Sequence, residues 1–234
     1  SQDSEKKLQL FQHKLLKNLT SELIEGIIEI YKKLQFETKQ EERVGDCHIL
    51  TEIDPILEAI VKFAEVNAIL GSRFVKPLRE EAEEWKNHIQ LLSDLIEAWL
   101  SCQKNWMYLD NIFKGSEIKK ALPDESRKFE SVDKFFRNTL MQGPTGVTSK
   151  LTHEPLGYQK ALNLEQIREK NEDLDNIQKS LDDYMEVKRS HFPRFYFLSN
   201  QELIGVLANS QNLEIIQLNL KTCFDNIVRI DIVD

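Results

Sequence analysis

Apolar residues recur at spacings of three and four from the start of the chain: Leu8, Phe11, Leu15, Leu19, Leu23, Ile27, Ile30 and Leu34. That period puts them on one face of a helix, so residues 4–40 are expected to form a single amphipathic helix with its stripe turned inward. Gly26 interrupts it at a cost of about 1 kcal/mol relative to Ala. A polar connector, 37–46, should follow, then a second helix from about Thr51 to Leu70. Asp54-Pro55 sit in its first turn, where an acid suits the helix dipole and a missing N–H costs least. Gly71 is placed to stop it.

The third helix is expected over about 77–113. Leu78, Trp85, Leu92, Trp99, Trp106 and Phe113 fall every seven residues, with Ala82, Ile89 and Ile96 between them. All three tryptophans therefore share one seam. A coiled-coil seam favours Leu, Ile or Val, so indoles at Trp85, Trp99 and Trp106 point to packing inside a helical bundle rather than to a ligand pocket. Gly115 and Pro123 bracket a short helix, and another is expected over about 124–141 with Phe129, Val132, Phe136 and Leu140 inward. Residues 142–157 hold Gly143, Pro144, Gly146, Pro155 and Gly157, the pattern of a loop and the first candidate hinge.

A long, highly charged helix should cover about 162–189 on a stripe of Ile167, Leu174, Ile177, Leu181, Tyr184 and Lys188. Pro193 must end it by about His191. Ser199-Asn200-Gln201-Glu202 has the spacing of a capping box, starting a short helix to about Ala208. Another helix runs from Asn212 to near Phe224. Val228, Ile230 and Ile232 alternate with Arg229, Asp231 and Val233, which predicts a strand. Between the charged helix and the capping box lies Phe192-Pro193-Arg194-Phe195-Tyr196-Phe197. Four aromatics in six residues are expected to be buried in a crossing between helices, making this the second candidate joint.

The fold class that follows is mainly all-α: an elongated bundle of long helices, with at most a short strand near the C-terminus. The expected division is a helical subdomain over 1–141, a loop or hinge over 142–157, and a second helical subdomain over 158–234, truncated at its C-terminal end.

Composition narrows the possibilities. Only 8 Gly and 6 Pro occur among 234 residues while 30% are charged, which suits long helices with solvated outer faces. The formal charge of −8 disfavours nucleic acid and anionic membrane as partners. No apolar run is long enough to span a bilayer, and the polar start is not a signal peptide. Ser1 in place of Met is expected of a fragment or a processed chain. Cys47, Cys102 and Cys223 are scattered, as reduced cytosolic thiols are.

Candidate chemistry is sparse. Gly143-Pro144-Thr145-Gly146-Val147-Thr148-Ser149-Lys150 has the wrong spacing for a phosphate loop and no strand before it. Cys47-His48 lacks the second pair that a zinc site requires. The acidic groups Glu80-Glu81, Glu83-Glu84, Glu172-Asp173 and Asp182-Asp183 read as solvated helix faces beside basic residues, with docking as their functional alternative. No Ser or Cys sits in a nucleophile motif. Catalytic, cofactor and metal residues are therefore all expected to be absent. Trp85, Trp99, Trp106, Phe192, Pro193, Arg194, Phe195, Tyr196, Phe197, Ser199 and Glu202 are expected to carry structure or force.

The run Lys188-Arg189-Ser190-His191-Phe192-Pro193-Arg194-Phe195-Tyr196-Phe197-Leu198-Ser199-Asn200-Gln201-Glu202-Leu203 resembles a signature of dynein heavy chain linkers, in its N-terminal part. The resemblance extends through Asn171–Tyr184, Trp99–Phe113, Leu122–Glu125, Phe129–Asp133 and Ser72–Pro77, covering about residues 44–234, and its wording is more axonemal than cytoplasmic. It implies a mechanical linker, or lever, of a minus-end-directed microtubule motor. Such a linker arches over a ring of AAA modules, bending and straightening to couple ATP hydrolysis to the power stroke. On that resemblance this segment is no enzyme and has no cofactor, ATP and magnesium belonging to the ring of the intact chain. Its implied partners are that ring, other dynein subunits or neighbouring motors, and microtubules only through the intact motor, without nucleic acid or membrane. The implied location is the cytoskeleton, in a cilium or flagellum axoneme. The alternative from the residues alone is a helical adaptor or spectrin-like scaffold.

Overall fold

The structure is a computed structural model, and it describes residues 2–33, 37–41, 47–51, 53–62, 71, 79–140, 164–227 and 229–230. In chain order the elements are α1 (Gln2–Lys33), β1 (Thr38–Gln40), β2 (His48–Leu50), α2 (Asp54–Lys62), α3 (Arg79–Phe113), α4 (Ser116–Ala121), α5 (Pro123–Phe135), a π-helical turn (Phe136–Leu140), α6 (Leu164–His191), a 3-10 turn (Pro193–Phe197), α7 (Asn200–Ala208) and α8 (Leu213–Cys223). The fold is mainly all-α, as the helical periodicities require.

The one sheet among the described residues is not where the sequence put a strand. Thr38, Lys39 and Gln40, in the stretch read as helix end and polar connector, pair antiparallel with Leu50, Ile49 and His48, which lie between that connector and the expected second helix. The ladder is closed off by Glu41 N–H donating to Cys47 O and Thr51 N–H to Glu37 O, both at 3.0 Å. Of the expected C-terminal strand, Arg229 and Ile230 are not in strand conformation. Val228 and residues 231–234 lie outside the described residues, as does the expected hinge, 142–157.

The chain divides into two compact units, residues 1–100 with 138–164, and residues 101–137 with 165–234. In the first, Ile24 of α1 packs with Ala82 of α3, and Ile28 and Trp85 lie at the margin of that contact. The α1 stripe departs from expectation. Leu8, Phe11, Leu15, Leu19, Leu23 and Ile30 are 57%, 66%, 50%, 47%, 46% and 37% exposed, and of the expected stripe's described side chains only Ile27 is buried, because α1 packs through a neighbouring face that carries Ile24.

In the second unit the core is formed by Trp106, Leu109 and Phe113 of α3, Ile118 of α4, Phe129 and Val132 of α5, and Phe136. The stripe Ile167, Leu174, Ile177, Leu181 and Met185 of α6 is buried as well, so Met185, rather than Tyr184, completes it. Phe113 stacks on Phe129 at 5.2 Å and 14°. A Cβ at Gly115 would come within 3.3 Å of the Ala208 Cβ, so glycine in the α3–α4 turn lets α7 sit a few tenths of an ångström closer than a larger residue would.

Burial pushes the Cys102 thiol up to about 12. At pH 8 the thiolate, which is the reactive form, is then about one part in ten thousand. Iodoacetamide should therefore leave Cys102 unmodified in the folded chain and alkylate it at an ordinary thiol rate in urea. Rapid native labelling, read by mass spectrometry, would contradict that burial.

Candidate functional site

The sequence features converge on the end of α6. Pro193 has no N–H to continue the helix, so α6 ends at His191 and the backbone turns extended at Phe192, φ −132° and ψ 90°. Local donors finish the helix: Phe192 N–H reaches Lys188 O at 3.0 Å, and Ser190 Oγ donates to Val187 O at 2.8 Å. The chain then makes a 3-10 turn, with Phe195 N–H on Phe192 O at 2.9 Å and Leu198 N–H on Phe195 O at 3.1 Å.

Two arginines fasten this turn. Arg189, in the last turn of α6, donates to Leu198 O at 3.1 Å, to Asn200 Oδ1 at 2.8 Å and more weakly to Phe195 O at 3.4 Å. A guanidinium is suited to this because its donors form a rigid fork. Arg194 donates to Cys223 O at 3.1 Å and lies 5.0 Å over the Phe224 ring. Arg194 therefore ties the turn to the end of α8, satisfying a carbonyl that the helix leaves open. Phe192 meets Phe195 edge-on at 4.7 Å.

The expected burial of the aromatic run does not occur. Phe192, Tyr196 and Phe197 are 40%, 56% and 65% exposed, whereas Leu198 is 3% exposed. The reason is geometric. With three residues per turn, a 3-10 segment presents positions i and i+3 to one side. Phe192 and Phe195 share that side, and the next two rings project away from it. Tyr196 uses its polar end, donating its hydroxyl to the Glu186 carboxylate, and that hydrogen bond raises the phenol pKa.

Ser199 and Glu202 behave as the capping box predicts. Ser199 Oγ accepts from Glu202 N–H at 3.3 Å, and Glu202 Oε2 accepts from Ser199 N–H at 2.8 Å. These bonds to Ser199 hold the Glu202 carboxyl below its ordinary pKa. The sign follows: the contribution is fully present above the unfolded-state pKa and fades as pH falls through the lower folded value. Ser199→Ala should lower stability by about 1 kcal/mol, typical of an N-cap. Glu202→Gln should remove the acid-dependent part of the loss. Urea titrations at neutral and acidic pH would check both, and a Glu202→Gln chain with unaltered acid sensitivity would exclude this origin.

The tryptophans occupy different settings. Trp85 is half-buried at the α1–α3 contact and meets His88 edge-on at 5.6 Å. Trp99 is fully buried. Trp106 is fully buried too and anchors a polar cluster that was not legible from residue spacing. Its Nε1 donates to Asp133 Oδ1 at 2.9 Å, and its ring stacks on Phe136 at 4.2 Å. Arg137 lies 5.1 Å from the ring centre and donates to Asp133 at 2.7 Å. Asp110, 5% exposed, lies 2.7 Å from Lys114 and 3.4 Å from Arg137. A buried carboxylate needs such partners, because desolvation alone would expel its charge.

What these residues can do is position and hold. Among the described residues no group of three His, Cys, Asp or Glu comes together as a metal site, and no helix is long and apolar enough to cross a membrane.

Comparison with known proteins gives the geometry a family. A family model described as dynein heavy chain, N-terminal region 2, matches residues 18–234. Human dynein axonemal heavy chain 6 is 33% identical over 214 residues, covering 89% of this chain and 5% of the relative. Mouse dynein axonemal heavy chain 2 is 42% identical over 163 residues, covering 69% of this chain and 4% of the relative. Human dynein axonemal heavy chain 3 is 34% identical over 193 residues, 82% of this chain and 5% of the relative. The chain thus spans only a small part of the length of the relatives it matches.

Proposed function

This chain belongs to the dynein heavy chain family, and on that premise we propose that it is a segment of the motor's mechanical linker, in an axonemal heavy chain of a cilium or flagellum. Its work is to carry force, while ATP and magnesium are handled by the AAA ring elsewhere in the intact chain. Its partners are that ring and other dynein subunits or neighbouring motors, and it meets microtubules only through the whole motor.

The observation that carries this reading is the construction at the end of α6. A 28-residue helix is stopped by Pro193, turned through a short 3-10 segment, tied back by Arg189 and Arg194, and restarted at the capping box. Long helices supply stiffness, and a bend needs a defined break, which proline or a change of helix type provides. Catalysis would instead call for convergent titratable groups in a cleft.

The test separates force from hydrolysis. A Gly-Ser insertion after Met141 in the intact heavy chain should leave ATP turnover in place and slow microtubule gliding, because slack in a lever dissipates its stroke. Gliding at the original speed would remove 142–157 from the lever. Tight ATP binding by the 234-residue chain itself would overturn the mechanical reading altogether.

A further inference from the structure

Trp106 meets two successive residues of the chain, and an α-helix works against that. Phe136 stacks on its ring at 4.2 Å and 19°, and the Arg137 guanidinium lies 5.1 Å from the ring centre. On an α-helix neighbouring side chains diverge by about 100°. Phe136–Leu140, however, is a π-helical turn. Its hydrogen-bonded rings are one residue larger, so it winds less per residue, and Phe136 and Arg137 can converge on one indole. Arg137 also donates to Asp133 at 2.7 Å and to Asp110 of α3 at 3.4 Å. Asp133 is held in turn by the Trp106 N–H at 2.9 Å.

Pi-helical turns hold well under about 1% of residues, so one that persists needs a cause. Asn138 and Thr139 are poor formers of an α-helix, which makes leaving the α register cheap at this place. Asn138 is exposed and Thr139 half-buried, whereas Phe136 is fully buried. The clamp thus grips the first two residues of the turn and decides its register. The boundary between the two compact units falls inside the same turn, between Arg137 and Asn138.

We propose that Phe136–Leu140 is a two-position element, π-helical while Arg137 is clamped against Trp106, Asp133 and Asp110, and α-helical when the clamp lets go. The two registers differ by one residue. Each conversion therefore turns the chain that follows by about 100° and moves it by about 1.5 Å. A packed clamp is either made or broken, so the change is a discrete step rather than a gradual bend. This step goes beyond the lever reading and does not depend on it, being a property of the 234-residue chain by itself.

Register shifts of helices run in microseconds to milliseconds, a range that NMR relaxation dispersion reads. In the 234-residue chain the amides of residues 137–140 and the Trp106 indole N–H should share one exchange process, absent from Glu125–Val132 of α5. Arg137→Gln removes the charged donor and should raise the minor population about tenfold. Deleting the exposed Asn138 takes out the extra residue and commits the turn to the α register, so the exchange should vanish. Urea midpoints give an independent reading. Arg137→Gln should lower the midpoint of the parent chain and leave that of the deletion chain nearly unmoved, because the clamp is already open there. Flat dispersion in both the parent and the Arg137→Gln chain overturns the proposal. So does exchange that survives the deletion, an equal loss from Arg137→Gln in both backgrounds, or a deletion chain that does not fold.

Discussion

Replacing Trp106 by Ala should cost the second unit about 3–5 kcal/mol, the range for emptying a fully buried large aromatic site. Three consequences act together. The stack on Phe136 at 4.2 Å disappears, Asp133 loses its indole donor, and Arg137 loses the ring beneath it. Asp110 and Asp133 then depend on Arg137 and Lys114 in a pocket opened to water, where each ion pair weakens. Trp106→Phe keeps an aromatic ring but loses the N–H donor and part of the indole's volume, and Asp133 still accepts from Arg137, so it should cost less than Trp106→Ala, about 1–3 kcal/mol. Trp85→Ala is the control on the same seven-residue seam. Its indole is half-buried beside Ile24 and Ala82, and half the transfer energy of a large apolar side chain is about 1 kcal/mol. Urea unfolding with an unchanged slope would isolate the stability term. Equal losses at Trp85 and Trp106 would show that the seam acts uniformly and that the Asp110–Asp133–Arg137 cluster contributes nothing of its own.

That contrast shows what the sequence could carry. Sevenfold spacing put the three indoles on one face and the structure keeps them there, because helical period is a local property. What each indole meets is not local. Trp106 and its partner Asp133 are 27 residues apart, and Asp110, Asp133 and Arg137 read in sequence like any solvated helix charges. The capping box and the stop at Pro193 were legible because each rests on bonds within three or four residues. The β1–β2 pairing was not, since three-residue strands are too short for an alternating period and their register depends on a partner ten residues on. Exposure of Tyr196 and Phe197 was missed for a related reason. Composition says that four aromatics prefer burial, whereas the 3-10 geometry decides which rings can turn inward. The α1 stripe met the same limit: its helical period was legible, but which face is buried depends on the element that packs there, and α1 packs through Ile24 and Ile27 while Leu23 and Ile30 of the expected stripe stay exposed.

In the intact heavy chain, Arg189→Ala should slow microtubule gliding far more than it slows ATP turnover. Arg189 contributes two well-placed bonds, to Leu198 O at 3.1 Å and to Asn200 Oδ1 at 2.8 Å, spanning the 3-10 turn from the helix before it to the start of the helix after it. A hydrogen bond from a charged donor is worth about 1.5–3 kcal/mol when sheltered. Arg189 is half-exposed, so the lower end of that range applies. Each 1.4 kcal/mol or so removed from the fastened turn shifts its closed-to-open ratio about tenfold. A joint that opens more readily under load transmits less of each stroke, while on the proposed role ATP turnover, carried by other parts of the intact chain, is expected to proceed. Arg189→Lys keeps the charge but shortens the reach of the donor nitrogen and loses the Nε bond to Phe195 O, so it should rescue gliding only in part. Capping is untouched by either change, because Ser199 and Glu202 bond to each other and not to Arg189. Melting of the isolated chain should therefore fall modestly, by the worth of the lost bonds. The idea fails if both variants glide at the original speed while the chain's stability drops as expected, for then the Arg189 bonds hold the fold together without bearing the load.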